Sequence, residues 1–362
     1  MRVALAKALF IVPTLLILDE PTNHLDLYAC LWLTGYLKTY PNTIIIVSHD
    51  RFFLNETCTT MMYIDNKKIN YYKGNIDLME KQYQLDKKKH QKNYDNYIKK
   101  IKQMKASNKL KKKEIDTFIS NNLIEKPEKQ YVVKLNFIQP NILKGNLLTF
   151  KNVDFGYNDK SIFKNINMTI IQTSRVAIVG KNGIGKSTLL KLMNGSIIPI
   201  AGSILRFCGL KIGYYDQHFE SSLNSDMTAV NYIRSLNENI DVTLAHKYLS
   251  KFCLESMYHK TMIGNLSGGQ KARIKLASFA VTRPHLIILD EPSNHLDIET
   301  MDSLINAINN FEGAVIIVTH NFDLITKIDC ELWNITENGI EQYNGDYTDY
   351  IDSVMQQIQT DE

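Results

Sequence analysis

The chain has 362 residues, 44% of them hydrophobic and 22% charged, with a formal net charge of +4. That length accommodates two domains of ordinary size, and the composition excludes a disordered or fibrous protein. Apolar runs such as LLIL and IIIV fall well short of the ~18 residues a membrane-spanning helix needs, and the five scattered cysteines form no C-x-x-C pair, so a disulfide framework or a zinc site is not expected.

Residues 1–10, MRVALAKALF, have the look of an export signal: a basic residue, an apolar run and a small-residue Ala-x-Ala. The look is misleading, because residues 272–297, ARIKLASFAVTRPHLIILDEPSNHLD, align with residues 1–26 without a gap at an offset of 271. The same offset carries Arg2 onto Arg273, Pro13 onto Pro284, His49 onto His320 and Gly74 onto Gly345. A segment that recurs in mid-chain cannot serve there as a signal. In both copies it reads as a helix and then a core strand ending on two carboxylates, Asp19 and Glu20 in the first, Asp290 and Glu291 in the second.

The repeat divides the chain. Residues 1–77 read as the C-terminal part of a first domain, 78–146 as a linker, 147–350 as a complete second domain and 351–362 as a tail. The first copy has no counterpart of residues 175–270, so the sequence reads as truncated at its N-terminus.

The linker concentrates the positive charge. Between Asp86 and Lys113 there are 12 lysines against 2 aspartates, a local +10, which leaves +4 minus 10, or −6, for the rest. Tyr94, Tyr97, Ile98, Ile101 and Met104 recur at three- and four-residue intervals, the pattern of one arm of an amphipathic helical hairpin, and a shorter second arm is expected through Ile115, Phe118 and Ile119. Such a segment is most simply a solvated helix face. Its lysines also suit phosphate contacts without base specificity, and its tyrosines suit stacking on RNA.

Phosphate chemistry enters with RVAIVGKNGIGKSTLLKLMNG at residues 175–195, a G-x-x-x-x-G-K-S sequence, Gly180 to Ser187, between an apolar strand and a periodic helix. Gly183 and Gly185 let the backbone approach phosphate oxygens, Lys186 reaches the β- and γ-phosphates, and the Ser187 hydroxyl can ligate Mg²⁺. HLIILDE at 285–291 ends a buried strand on Asp290, suited to the Mg²⁺ shell, and Glu291, suited to orient and activate water. Three further pieces complete an ordered set: Gln217 in YYDQ as a neutral ligand, LSGGQ at 266–270 opening a helix, and His320 after the strand AVIIVT.

In this order the residues resemble the ATP-binding cassette superfamily, with Walker A, Q-loop, signature, Walker B with its glutamate, the D-loop SNHLD at 293–297 and the H-loop all present. DEPTNHLD and DEPSNHLD on one chain, the basic linker between the copies, SHDRFFLN at 48–55, and the YKGN and YNGD pieces resemble its F subfamily, soluble tandem ATPases that act on ribosomes, and most of all the eukaryotic branch of translation control and ribosome biogenesis.

That resemblance implies an α/β P-loop NTPase fold of the cassette type, binding ATP and Mg²⁺. It assigns the adenine face to Tyr157 and the phosphates to Gly180, Asn182, Gly183, Gly185, Lys186, Ser187 and Thr188. The metal falls to Ser187, Gln217 and Asp290, and catalysis to Glu291, His320 and Gln217. Ser267, Gly268, Gly269 and Gln270 would close on a facing γ-phosphate, while Asp19, Glu20 and His49 are the first-cassette equivalents. The implied partners are the ribosome with its tRNA and rRNA, through Lys87–Lys113, and a second copy paired through the second cassettes; no membrane is expected, and the location is cytoplasmic.

Each nucleotide in such proteins lies between the Walker A of one cassette and the signature of the other. Neither pair is complete within this sequence, so slow turnover is expected unless two chains pair. THNFD at 319–323 in place of SHDRF leads us to expect weaker coupling at the second switch. The rival reading, a nucleotide-binding subunit of a membrane transporter, predicts no long basic insertion between cassettes.

Overall fold

A computed structural model of the chain describes residues 2–23, 25–65, 67–106, 117, 119–127, 134–158, 160–337 and 339–361. The chain divides into a large unit, residues 1–53 with 133–362, and a small one, residues 54–132. Among the described residues no helix is long and apolar enough to cross a membrane.

The first copy supplies the large unit with α1 (Arg2–Phe10), β1 (Leu15–Asp19), α2 (Leu27–Lys38), β2 (Thr43–Val47) and the start of α3 (Arg51–Thr57). The small unit holds a hairpin, β3 (Thr60–Asp65) with β4 (Lys68–Lys73), and the helix α4 (Ile76–Ala106). At 31 residues α4 runs for about 46 Å. Its start is tied down by Asn55, whose Oδ1 accepts from the Ile76 N–H at 2.9 Å. Tyr97 is buried and its hydroxyl lies 3.5 Å from the Ile119 carbonyl, while Tyr94, Ile98, Ile101 and Met104 are half-buried. The apolar stripe read from the sequence therefore faces inward, and Tyr97 does not offer its ring to a ligand. Lys88, Lys89, Lys92, Lys99, Lys100, Lys102 and Lys105 are exposed. Ile115, Phe118 and Lys109–Lys113 lie outside the described residues.

The second copy is built on β5 (Asn146–Tyr157), β6 (Lys160–Ile171), β7 (Arg175–Val179), α5 (Lys186–Asn194), β8 (Ala201–Arg206), β9 (Ile212–Tyr215), α6 (Ala229–Ser235), α7 (Val242–Lys251), α8 (Gly268–Thr282), β10 (Leu286–Asp290), α9 (Ile298–Asn309), β11 (Ala314–Val318), α10 (Phe322–Ile328), β12 (Glu331–Thr336), β13 (Gly339–Gln342) and α11 (Tyr347–Asp361). A six-stranded sheet in the order β13-β12-β7-β11-β10-β9 is parallel except for β13. A three-stranded antiparallel sheet, β6-β5-β8, accompanies it. All five residues of β10 and of β11 are buried, as unbroken apolar runs in a covered parallel sheet should be. β5 is irregular against β8 between Lys151 and Asp154, and Gly202 fits there because a Cβ would come within 2.2 Å of the Asn152 carbonyl.

The repeat holds at atomic detail. β1 pairs with β2 from Leu15↔Thr43 to Asp19↔Val47, and β10 with β11 from Leu286↔Ala314 to Asp290↔Val318, the same register displaced by 271. Asp26 and Asp297 cap α2 and α9 in the same way, accepting from Ala29 N–H and Thr300 N–H. Environment separates the copies. β1 alternates between exposed and buried positions, and Ile17 is 65% exposed where its equivalent Ile288 is fully covered. The helix α2 places Cys30, Leu33 and Leu37 in a small core of the first copy, and Leu27 and Leu31 against Tyr347, Tyr350 and Ile351 of α11.

The sequence boundaries sit differently on this architecture. The division at 77/78 falls inside α4, and the hairpin before it belongs to the small unit. Residues 134–143, placed in the linker by composition, pack on the large unit: Leu135 and Phe137 are buried, and Phe137 sits among Phe252, Phe279 and Phe311 at 5.8–6.2 Å between ring centroids. The Leu135 N–H donates to the Ser303 hydroxyl at 2.6 Å. Of the expected tail, residues 351–361 continue α11, with Ile351, Val354 and Ile358 in a core shared with Leu27 and Leu31. Composition is blind to such straps, since a few buried apolar residues anchor a polar stretch.

Candidate nucleotide site

The carboxyl end of β7 opens into the loop Gly180–Gly185, and α5 begins at Lys186. β7 lies between β11 and β12, so the loop emerges where connections leave the sheet in opposite directions, the usual place for a ligand crevice. Gly185 has φ +117, and a Cβ there would meet Ile162 at 2.7 Å and Phe163 at 2.9 Å. The Lys186 ammonium folds back over the loop, donating to the Gly180 carbonyl at 2.7 Å, the Lys181 carbonyl at 3.2 Å and Asn182 Oδ1 at 3.2 Å. Burial lowers its pKa, opposed by the charges of Glu291, Asp26 and Asp290.

Asp290 ends β10 with 2% of its surface exposed. Burial pushes its carboxyl up to about 6, against the hydrogen bond from Ser187. Its Oδ2 is buried with no hydrogen-bond partner. An orphaned carboxylate oxygen beside the Ser187 hydroxyl, in a cavity that Gln217 also lines, is an all-oxygen donor set of the kind Mg²⁺ takes, so the residues fit that ion.

Glu291 adopts φ +49, a left-handed conformation that a non-glycine residue keeps only where its surroundings enforce it. Its N–H donates to the Val318 carbonyl at 2.8 Å, and Thr319 Oγ1 donates to its Oε2 at 3.4 Å. His320 Nε2 stands 3.5 Å from its Oε1. Burial, then the neighbouring Asp290, pushes Glu291 up to about 8, and burial, then Lys186, pushes His320 down to about 3. At neutral pH the pair is therefore a carboxylic acid beside a neutral imidazole, not an ion pair.

The first copy repeats the arrangement. Glu20 has φ +44, its N–H donates to Val47 at 2.8 Å, and His49 Nε2 lies 3.7 Å from its Oε1. Asp26, besides capping α2, accepts from the Asn182 N–H through Oδ2 at 3.3 Å, and the Lys181 ammonium sits 5.6 Å from the Tyr28 ring centroid. The first copy's SNHLD-equivalent loop thus lies against the phosphate loop of the second.

One cavity of about 830 Å³ gathers most of the residues expected from sequence: Tyr157, Asn182, Gly183, Gly185, Lys186, Ser187, Thr188, Gln217, Asp290, Glu291 and His320, with Glu20 and His49 from the first copy. Gly180 forms the loop's first turn and does not line it, and Asp19 is exposed at the end of β1. Ser267, Gly268, Gly269 and Gln270 do not reach the cavity. They open α8 with a capping box, Ser267 Oγ accepting from the Gln270 N–H at 3.3 Å and Gln270 Oε1 accepting from the Ser267 N–H at 3.0 Å.

Sequence reading did not single out Asp26, Thr319, Lys160 or Asn294, although Thr319 anchors Glu291 and Asn294 lines the cavity. The signal for Thr319 was available, a hydroxyl directly before the switch histidine. Asp26 lies in the repeated DEPTNHLD stretch, but its contact with Asn182 spans 156 residues and leaves no local signal.

This fold and site define an ATP-binding cassette. The family model described as "ABC transporter" matches residues 163–294. The chain belongs to the F family of these proteins: it is 38% identical over 99% of its length to "ABC transporter F family member 4" of Dictyostelium discoideum, and 38% identical over 97% to "ATP-binding cassette sub-family F member 2" of Bos taurus. It spans 32% and 59% of those relatives. Among solved structures, an archaeal ribosome recycling factor, crystallised with a ribosomal stalk protein, shares the fold over 98% of this chain and 65% of its own, at 19% identity and a TM-score of 0.66.

Proposed function

We propose that this chain binds and hydrolyses Mg-ATP in the cavity under Tyr157 and Lys186, and that nucleotide state governs contacts of its lysine-rich helix with ribosomal RNA or tRNA in the cytoplasm. The observation that supports the first part most strongly is the buried Asp290, with an unpartnered carboxylate oxygen, beside the half-buried Glu291 in the cavity of the phosphate loop. Mg²⁺, when bound, polarises phosphate oxygens and neutralises their charge. Ser187, Asp290 and Gln217 would hold it. Lys186 binds and orients the β- and γ-phosphates, and Glu291, in its ionised form, takes a proton from water on the γ side while His320 donates a hydrogen bond to the γ-phosphate.

The signature Ser267–Gln270 lies off this cavity, which is how a segment that serves a facing cassette should lie. A second copy of the chain supplies one such partner, and a turnover rate per molecule that rises with protein concentration supports pairing.

The ribosome reading draws on α4 and on the fold neighbour's own association with a ribosomal protein. Seven exposed lysines line 18 residues, Lys88–Lys105, enough for several phosphate contacts. Sedimentation with ribosomes tests it. Exchanging Lys88, Lys89, Lys92, Lys99 and Lys100 for Gln should weaken co-sedimentation at least about tenfold and flatten its salt dependence. Unchanged binding overturns the RNA reading and leaves the ATPase reading intact.

A further inference from the structure

The two switch histidines are joined by a contact that runs one way. Arg51, two residues after His49, extends its guanidinium to the second copy: Nη2 lies 2.8 Å from Asp302 Oδ2 on α9, and Nε lies 3.7 Å from Asp323 Oδ2 on α10. Only 16% of the Arg51 side chain is exposed. Beside it the Phe52 ring stacks on Phe322, 5.1 Å between centroids and 24° between planes, and Phe322 packs in turn on Tyr347.

Both ends of this contact directly continue the sites along the chain. Asp50, between His49 and Arg51, caps α3 by accepting from the Phe53 N–H at 3.1 Å, and Asn321, just after His320, caps α10 by accepting from the Leu324 N–H at 2.9 Å. Of the two replacements at the second switch, Asn321 for Asp50 preserves the helix cap, whereas Phe322 for Arg51 removes the guanidinium. From Glu20 and His49 through Arg51, Asp323 and Asn321 to His320 and Glu291, each step is either a stretch of one to two residues of chain or a side-chain pair within 3.7 Å.

The offset of 271 shows that the reverse contact does not exist. Arg51 corresponds to Phe322 and Asp302 to Leu31, so neither partner of a return ion pair is present. Lys327 also reaches Asp323 at 3.0 Å and Asp302 at 3.6 Å, but it shares α10 with Asp323 and cannot tie one copy to the other through that residue.

We propose that Arg51 is a positioning residue that couples the two switch loops, so that the Glu20–His49 pair of the first copy follows the nucleotide state of the second site. The coupling rests on the reading of that site as an ATP site. The contact itself does not, and the test separates them.

The experiment is amide hydrogen exchange on the full chain, with and without Mg-ATP, for the wild type, R51A, R51K, D302A and R51A/D302A. In the wild type, Mg-ATP should slow exchange in both 48–53 and 320–326. In R51A the slowing at 320–326 should persist while that at 48–53 falls at least about fivefold, R51K should restore part of it, and the double variant should be no worse than R51A, the mark of two residues acting through one contact. An undiminished ATP effect on 48–53 in R51A overturns the proposal. If Mg-ATP slows neither segment of the wild type, the ATP reading fails. The clasp is then decided without nucleotide: exchange in 322–328 must rise about fivefold in R51A, and unchanged exchange overturns it. As a readout that general loosening would not move, kcat should fall about tenfold in R51A with KM within about twofold, and a rise in KM with kcat unchanged also overturns it.

Discussion

Glu291 and His320 stand 3.5 Å apart at the ends of adjacent parallel strands, and each is held in the form that carries no charge. A half-buried acid and a half-buried neutral imidazole have opposite consequences for stability. Glu291 holds its proton more tightly folded than unfolded, so its contribution is fully present below pH 4.5 and is lost as pH rises toward 8. His320 holds its proton less tightly when folded, so its contribution is present above pH 6.5 and is lost as pH falls toward 3.

The variant E291Q keeps the neutral shape and removes the titration. Its melting temperature, relative to wild type without nucleotide, should climb by about 3 °C or more between pH 5 and pH 8. A difference that stays level across that range would mean that Glu291 is not held protonated. The same variant should bind Mg-ATP as wild type does and turn it over at least about a hundredfold more slowly.

Lys186 serves the phosphate loop before any ligand arrives, through three hydrogen bonds at 2.7–3.2 Å. K186A should lower ATP affinity by about tenfold or more, measured by isothermal titration, since it removes a cation from the site and a tie from the loop. Equal affinity would place the nucleotide elsewhere.

Gly185 is a backbone requirement. In G185A the new methyl would press on Ile162 and Phe163 while the residue strains at φ +117, which should cost about 1–3 kcal/mol in chemical denaturation and lower nucleotide affinity as well. An unaltered denaturation midpoint would show that the loop relaxes at no cost.

Phe137 tests where the basic linker ends. It fills a pocket among three other phenylalanines, so F137A should destabilise the large unit by about 3–5 kcal/mol. Residues of a solvated linker would give less than about 0.5 kcal/mol.

Much of the site was legible because its chemistry is local. Gly180–Thr188 needs its glycines and its lysine at a set spacing on one strand–loop–helix unit, and Asp290–Glu291 sits at one strand end, so order along the chain carries nearly all the information. What escaped was whatever depends on two distant segments meeting: the Asp26 carboxylate on the Asn182 amide, the Leu135 and Phe137 strap, and the Arg51 contact with α9 and α10. The signature was recognised as a motif, but its distance from the Walker residues of its own copy is a fact of the fold.

By itself the sequence determined that the chain carries two copies of one strand-and-loop motif and the phosphate-binding loop of the second, since both follow from apolar periodicity, glycine placement and a single offset. The tertiary structure decided what each copy became. LLILD in β1 and LIILD in β10 differ at one position, yet the strand is half exposed in the first copy and wholly covered in the second. Burial is a property of neighbours, and it is burial that leaves Asp290 Oδ2 without a partner, raises Glu291 toward 8 and keeps His320 uncharged.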